Sequence, residues 1–203
     1  MEIILLKKVN YGLRIGIVGD REINKELFYQ NLQGNAIESK LSHHFAEAFI
    51  IFDYIPLKLK IFFVENLEEL IENYSIIEKL DVIILTIDLY DSEALYQYFK
   101  DIIVEFNETY FFQGISVLVG IDIENIYNKG RKKNRKVSRF SLEDRAKYLN
   151  LIYCFEIFNK SKDVKGILDK IFQDFVFRFQ YSSPELFKEA KIYGKRLGEE
   201  HKN

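Results

Sequence analysis

One cysteine in 203 residues rules out a disulfide within the chain. That residue, Cys154, lies in the apolar run Leu151-Ile152-Tyr153-Cys154-Phe155 and is expected to be a buried core thiol. Two prolines and ten glycines leave no stretch that reads as a flexible linker, and no internal repeat or low-complexity tract is visible. Histidine is scarce too, with two of the three adjacent and the third near the tail, so no Ser/His/Asp or Cys/His constellation can be assembled by pattern. No run approaches the ~18 apolar residues of a membrane span. The opening Met1-Glu2-Ile3-Ile4-Leu5-Leu6-Lys7-Lys8 is too short in its apolar part, and wrong in its charge order, for a signal peptide. The final residues offer no cysteine for a prenyl anchor. A cytoplasmic protein is the expectation. A formal charge of −2 gives no global reason to expect a nucleic-acid partner.

What is present is an ordinary globular composition, 48% hydrophobic and 30% charged, long enough for one domain with a sizeable core. Apolar runs of strand length alternate with amphipathic helical segments, which predicts an α/β sheet covered on both faces. Leu13 to Gly19 reads as a strand, and Lys25 to Leu32 as a helix burying Leu27, Phe28 and Leu32 and ended by Gly34. Glu47 to Ile55 and Leu57 to Val64 read as a hairpin around Tyr54-Ile55-Pro56. Helical spacing follows over Val64 to Leu80, then the β-branched run Val82 to Asp88, as in a central parallel strand. A helix over Ser92 to Phe106, a strand over Ile115 to Ile121, a short helix over Leu142 to Leu149 and a strand over Leu151 to Phe158 complete the sheet. Asp163 to Gln180 repeats apolar residues at three and four. Pro184 opens a last helix with Leu186, Phe187, Ala190, Tyr193 and Leu197 on one face, which either packs on its own domain or docks a partner.

The motif with chemical content is Gly19-Asp20-Arg21-Glu22-Ile23-Asn24-Lys25-Glu26, placed between a strand and a helix. It keeps the Gly and the Lys of the phosphate-binding G-x-x-x-x-G-K-[ST] pattern. Asn24 replaces the second glycine, a position where asparagine tolerates left-handed backbone angles better than most residues. Glu26 replaces the hydroxyl that would hold Mg²⁺ and brings a negative charge beside any polyphosphate.

With that element order, the chain resembles the Ras/Rab-type small GTPases over roughly residues 13–180, leaving 1–12 as an N-terminal extension and 181–203 as a C-terminal helical extension. The resemblance implies a P-loop fold with a mostly parallel six-stranded sheet, one antiparallel edge strand, helices on both faces and an extra C-terminal helix. Its second motif, Asp-x-x-Gly, falls on Phe63-Val64-Glu65-Asn66, with Leu67 where the family keeps a water-orienting glutamine. The guanine-reading Asn-Lys-x-Asp falls on Ile121-Asp122-Ile123-Glu124, and the Ser-Ala-Lys loop on Phe158-Asn159-Lys160. No threonine stands between Gly34 and Leu57 to serve as the first switch residue. The resemblance therefore implies a degenerate nucleotide site made of Gly19, Asn24, Lys25, Glu26, Glu124 and Lys160, with no catalytic residue and no metal ligand. It implies a pseudo-GTPase, without cofactor, that acts as a protein–protein interaction or scaffold module, with another GTPase-like or regulatory subunit among the partners it suggests. The alternative is a divergent GTPase that binds GTP or GDP with Mg²⁺ and hydrolyses slowly.

Several residues carry two readings. Lys25 is a residual phosphate ligand or a solvated helix-start lysine. Glu26 is an ordinary first-turn acid favoured by the helix dipole, or it pairs with Lys25 or Arg21 and fills the vacant site. The run Lys129 to Lys136 is a solvated loop or an electrostatic contact for an acidic surface such as anionic lipid. Adjacent His43 and His44 share neither a helix face nor a strand face, which argues against a metal site.

Overall fold

The computed structural model describes residues 9–72, 79–92, 112–127 and 134–201. Strand β1, Tyr11–Val18, runs into helix α1, which is built from three consecutive segments, Arg21–Asn24, the π-helical Lys25–Tyr29, and Gln30–Gln33. Then come β2 (Glu38–Leu41), β3 (Phe45–Phe52), β4 (Ile55–Val64), α2 (Leu67–Glu72) and β5 (Val82–Asp88). β6 (Ile115–Ile121), α3 (Ile123–Tyr127), α4 (Arg139–Tyr148), β7 (Tyr153–Ile157), α5 (Lys162–Ser182) and α6 (Pro184–Glu200) follow.

The strands form one mixed sheet in the order β2-β3-β4-β1-β5-β6-β7. It has seven strands rather than six, and the antiparallel strand is not at the edge. β3 runs against both of its neighbours, while β4, β1, β5, β6 and β7 are parallel. The extra strand is β2. Its four residues are all exposed, so no apolar alternation marks it in the sequence. Pairing with β3 across the two-residue turn His43–His44 creates it, with Ser42 N–H donating to the Phe45 carbonyl at 2.8 Å. The β3–β4 turn falls at Asp53 and Tyr54, with φ of 45° and 63°, the mirror-image geometry that suits a two-residue hairpin. Pro56 is therefore inside β4, opposite Ile51, beyond the point where β1 begins to pair.

Two apolar layers flank the sheet. On one side Leu13, Ile15 and Ile17 of β1 meet Leu27 and Phe28 of α1 and the Val164–Ile167–Ile171–Phe175 stripe of α5. On the other, Val18, Leu85 and Leu118 meet Leu67 and Leu70 of α2 and Leu142 and Ala146 of α4. Burying each large side chain of this kind contributes about 1.5–3 kcal/mol. α6 packs on the first layer through Phe187 and Ala190, while Leu186, expected on the same buried stripe, is exposed. Cys154 is half-buried rather than fully enclosed, and burial pushes its thiol up to about 11. The helix expected over Ser92 to Phe106 lies outside the described residues apart from its start, as do 73–78 of the segment after α2. No described helix is long and apolar enough to cross a membrane.

Candidate functional site

The site expected from the sequence centres on the turn between β1 and α1. That turn is short: Gly19 and Asp20 alone separate the strand from the helix. Asp20 caps α1, its carboxylate accepting from Ile23 N–H at 2.9 Å and its carbonyl from Asn24 N–H at 2.9 Å. The helix thus begins at Arg21, four residues before the expected start at Lys25. Four of the backbone amides between Gly19 and Lys25 are committed within the protein, those of Ile23 and Asn24 to Asp20. Gly19 N–H donates to Val64 C=O at 3.0 Å, and Lys25 N–H to the carbonyls of Arg21 and Glu22.

Asn24 sits in right-handed helical geometry, φ −65° and ψ −40°, so its tolerance of left-handed angles is not used. It is wholly buried, and its amide donates to Thr86 Oγ1 at 3.0 Å, which in turn donates to Val18 C=O at 2.8 Å. Through these bonds Asn24 ties α1 to β1 and β5.

Lys25 and Glu26 take different partners from those expected. Lys25 pairs with Glu22 at 2.8 Å, and that contact holds the Glu22 carboxyl below its usual range. Glu26 reaches neither Lys25 nor Arg21, and it is not a first-turn residue of α1. It pairs with Lys160 and accepts from Tyr127 Oη at 2.8 Å. The Lys160 ammonium also lies 4.2 Å from the Tyr127 ring centroid. The three form a closed cluster joining α1, α3 and the loop before α5. The hydrogen bond from Lys160, then that from Tyr127, keeps the Glu26 carboxyl below its ordinary value, while burial and the Glu26 carboxylate push the Tyr127 hydroxyl well up.

A second cluster closes the other flank. One Arg21 guanidinium nitrogen donates to both Glu69 oxygens, at 2.7 and 2.9 Å, and Nε donates to Phe63 C=O at 3.2 Å. Asn66 caps α2 by accepting from Glu69 N–H at 2.8 Å, and Glu69 reaches back to Glu65 N–H at 2.9 Å, a reciprocal capping arrangement. Phe63 is fully buried. In the segment 63–66, then, the residues serve packing, capping and the anchoring of Arg21.

In the segment 121–124, Asp122 caps α3, accepting from Asn125 N–H at 2.9 Å and from Tyr90 Oη at 3.1 Å. Glu124 is buried on α3. Before α5, Asn159 Oδ1 accepts from Ser161 and Lys162 N–H, and Asp163 from Phe158 and Asn159 N–H, all within 2.8–3.1 Å. Of the six expected site residues, the structure brings Glu26 and Lys160 into direct contact, while Asn24 is internal to the core. The sequence reading missed Tyr127 and Glu69, and it offered Arg21 only as a partner for Glu26, whereas Arg21 binds Glu69. Arg21 with Glu65 and Glu69 was visible only as scattered charge, and nothing in the spacing ties Tyr127 to Glu26, 101 residues away.

A cavity of about 700 Å³ lies beside α1, lined by Glu22, Lys25, Tyr29, Gln33, Leu41 and Tyr127 among others. Of the basic run, 129–133 lie outside the described residues, whereas Arg135 is drawn inward onto the buried Glu156 carboxylate. His43 and His44 form the β2–β3 turn, and no group of three or more metal-ligating side chains occurs among the described residues. Compared with known proteins, the chain matches no family model and no curated protein.

Proposed function

We propose that this chain is a non-catalytic relative of the Ras/Rab-type small GTPases, holding no nucleotide and working through contacts with other proteins. The observation that carries the reading is the Glu26–Lys160 pair. In the family those two positions serve magnesium and the base, at opposite ends of a bound nucleotide. Here the two side chains touch, with Tyr127 completing the cluster. The donor set fits a magnesium-bound triphosphate poorly in two further respects. The amides of Gly19, Ile23, Asn24 and Lys25 are already hydrogen-bonded within the protein. The Arg21 guanidinium is held by Glu69 rather than free to meet an anion. What remains of the architecture is a sheet with one reversed strand, two helical layers and capped loops, a rigid frame for presenting surface.

The purified full chain is expected to carry no nucleotide by mass and absorbance and to turn over no GTP. Millimolar GTP or GDP with Mg²⁺ should leave its melting temperature unchanged, since a ligand that binds only the native state must raise it. Stoichiometric co-purified GDP overturns the proposal. So does a nucleotide-dependent rise in Tm that Lys25→Ala abolishes, which is the behaviour of the divergent, slowly hydrolysing GTPase.

A further inference from the structure

The two edges of the sheet are unlike. β7 carries partly enclosed residues from Tyr153 to Glu156, and Glu156 is covered by Arg135 and Arg139. β2 is exposed along its whole length, and among the described residues it pairs on one side only. Its alternation can be read from the hairpin. Ser42 bonds Phe45 at the turn, so Lys40 and Glu38 are the next residues facing β3, and Ser39 and Leu41 turn their N–H and C=O toward the open edge. Ser39 Oγ lies 3.4 Å from Tyr29 Oη, which puts the odd-numbered side chains on the α1 side and Glu38 and Lys40 on the opposite face.

We infer that this edge is a homodimer interface, in which β2 of one copy pairs antiparallel with β2 of a second copy about a two-fold axis at Ser39. The segment Glu38-Ser39-Lys40 is complementary to its own reverse. Such pairing sets Ser39 against Ser39 and Glu38 against Lys40 twice, and it ends there, because Ile37 N–H already donates to Phe49 C=O at 2.8 Å within one copy. Ser39 then supplies two backbone hydrogen bonds at the axis. The Glu38–Lys40 pairs fall at the non-hydrogen-bonded positions, where opposed side chains approach closest.

The charge row within one copy argues for the same occupant. Lys60 on β4, Glu47 on β3 and Lys40 on β2 are register neighbours, and Lys60 Nζ lies 3.9 Å from Glu47. The row alternates in sign and ends on an exposed lysine. The Glu38 of a second copy continues it. This edge places opposite charges symmetrically about a serine. The inference is independent of whether the pocket beside α1 holds a nucleotide.

The test is sedimentation or light scattering on the full chain across roughly a hundredfold range of concentration, because dimer population follows mass action. The wild type is expected to move from 24.2 kDa toward twice that mass. Glu38→Lys and Lys40→Glu, both on exposed positions, should each remain monomeric, since each opposes like charges across the axis. Mixed in equal amounts, the two variants should form a heterodimer, because each Lys then faces a Glu. A wild type that stays monomeric at every concentration overturns the inference. So does a dimer indifferent to both reversals, or a mixture that fails to associate when the wild type does.

Discussion

Gly19 shows how tightly the first turn is specified. Its φ of 127° is a conformation side chains rarely adopt, and a Cβ there would stand 2.2 Å from Thr86 Oγ1 and 2.8 Å from the Thr86 carbonyl oxygen. The first of these, Oγ1, is the atom through which Asn24 is tied to β1 and β5. Gly19 is thus required by close packing on Thr86, with or without a phosphate. Gly19→Ala is expected to cost about 3 kcal/mol or more through strain and displacement of Thr86, read by chemical denaturation as a lower midpoint with an unchanged slope. An unchanged midpoint would mean that the turn can relax and that the glycine answers to something else.

Among the elements, the parts fixed by local composition were legible and those fixed by distant partners were not. β5 was readable because Val82 to Ile87 is a continuous run of mostly β-branched side chains buried on both faces. The start of α1 was not, because Asp20 and the residues after it fit both a phosphate-loop pattern and an N-cap. The cap governs, with Asp20 accepting from Ile23 three residues on. β2 has no pattern of its own, and the Glu26–Lys160 contact spans 134 residues. The candidate site was therefore legible as a set of unusual substitutions but not as a closed cluster.

That cluster has a signature in pH. Glu26 has a folded pKa depressed below its ordinary 4.5, so its contribution is fully present above that value and is lost as pH falls through the folded one. Its side chain is about one-third exposed, at 36%, so solvent screening holds the contribution under about 1 kcal/mol. Asp81 opposes it. Burial raises that carboxyl above its ordinary value, so protonation there favours the fold as pH falls. Both wild type and Glu26→Gln contain Asp81, and the difference between them isolates Glu26. The Tm advantage of wild type over Glu26→Gln should shrink as pH is lowered from about 6 to about 3. An advantage constant over that range would show that Glu26 acts through packing alone.

At the scale of the whole molecule, the last helix belongs to the body of the protein even though the sequence sets it apart as an extension. α6 crosses the β3–β4 hairpin at its turn. Lys191 pairs with Asp53 at 3.2 Å, the Lys195 ammonium lies 5.4 Å from the Tyr54 ring, and Gly194 is buried against the turn's backbone. A Cβ on Gly194 would come 1.9 Å from the Tyr54 carbonyl oxygen, and that oxygen belongs to a turn held in left-handed geometry with little room to yield. One turn further along, Gly198 has only the Ile51 Cδ1, at 4.0 Å, within reach of the same atom. The two glycines are chemically identical and share one helix, so they separate docking from helix propensity. Gly194→Ala should lift α6 from the hairpin, lower Tm by roughly 5 °C for a loss of about 2 kcal/mol, and open the chain to protease near Ser183. Gly198→Ala should raise Tm slightly, because alanine is the better helix former by up to about 1 kcal/mol. If both substitutions raise Tm, α6 is not seated on the hairpin in solution, and the surface beneath it is free for another molecule.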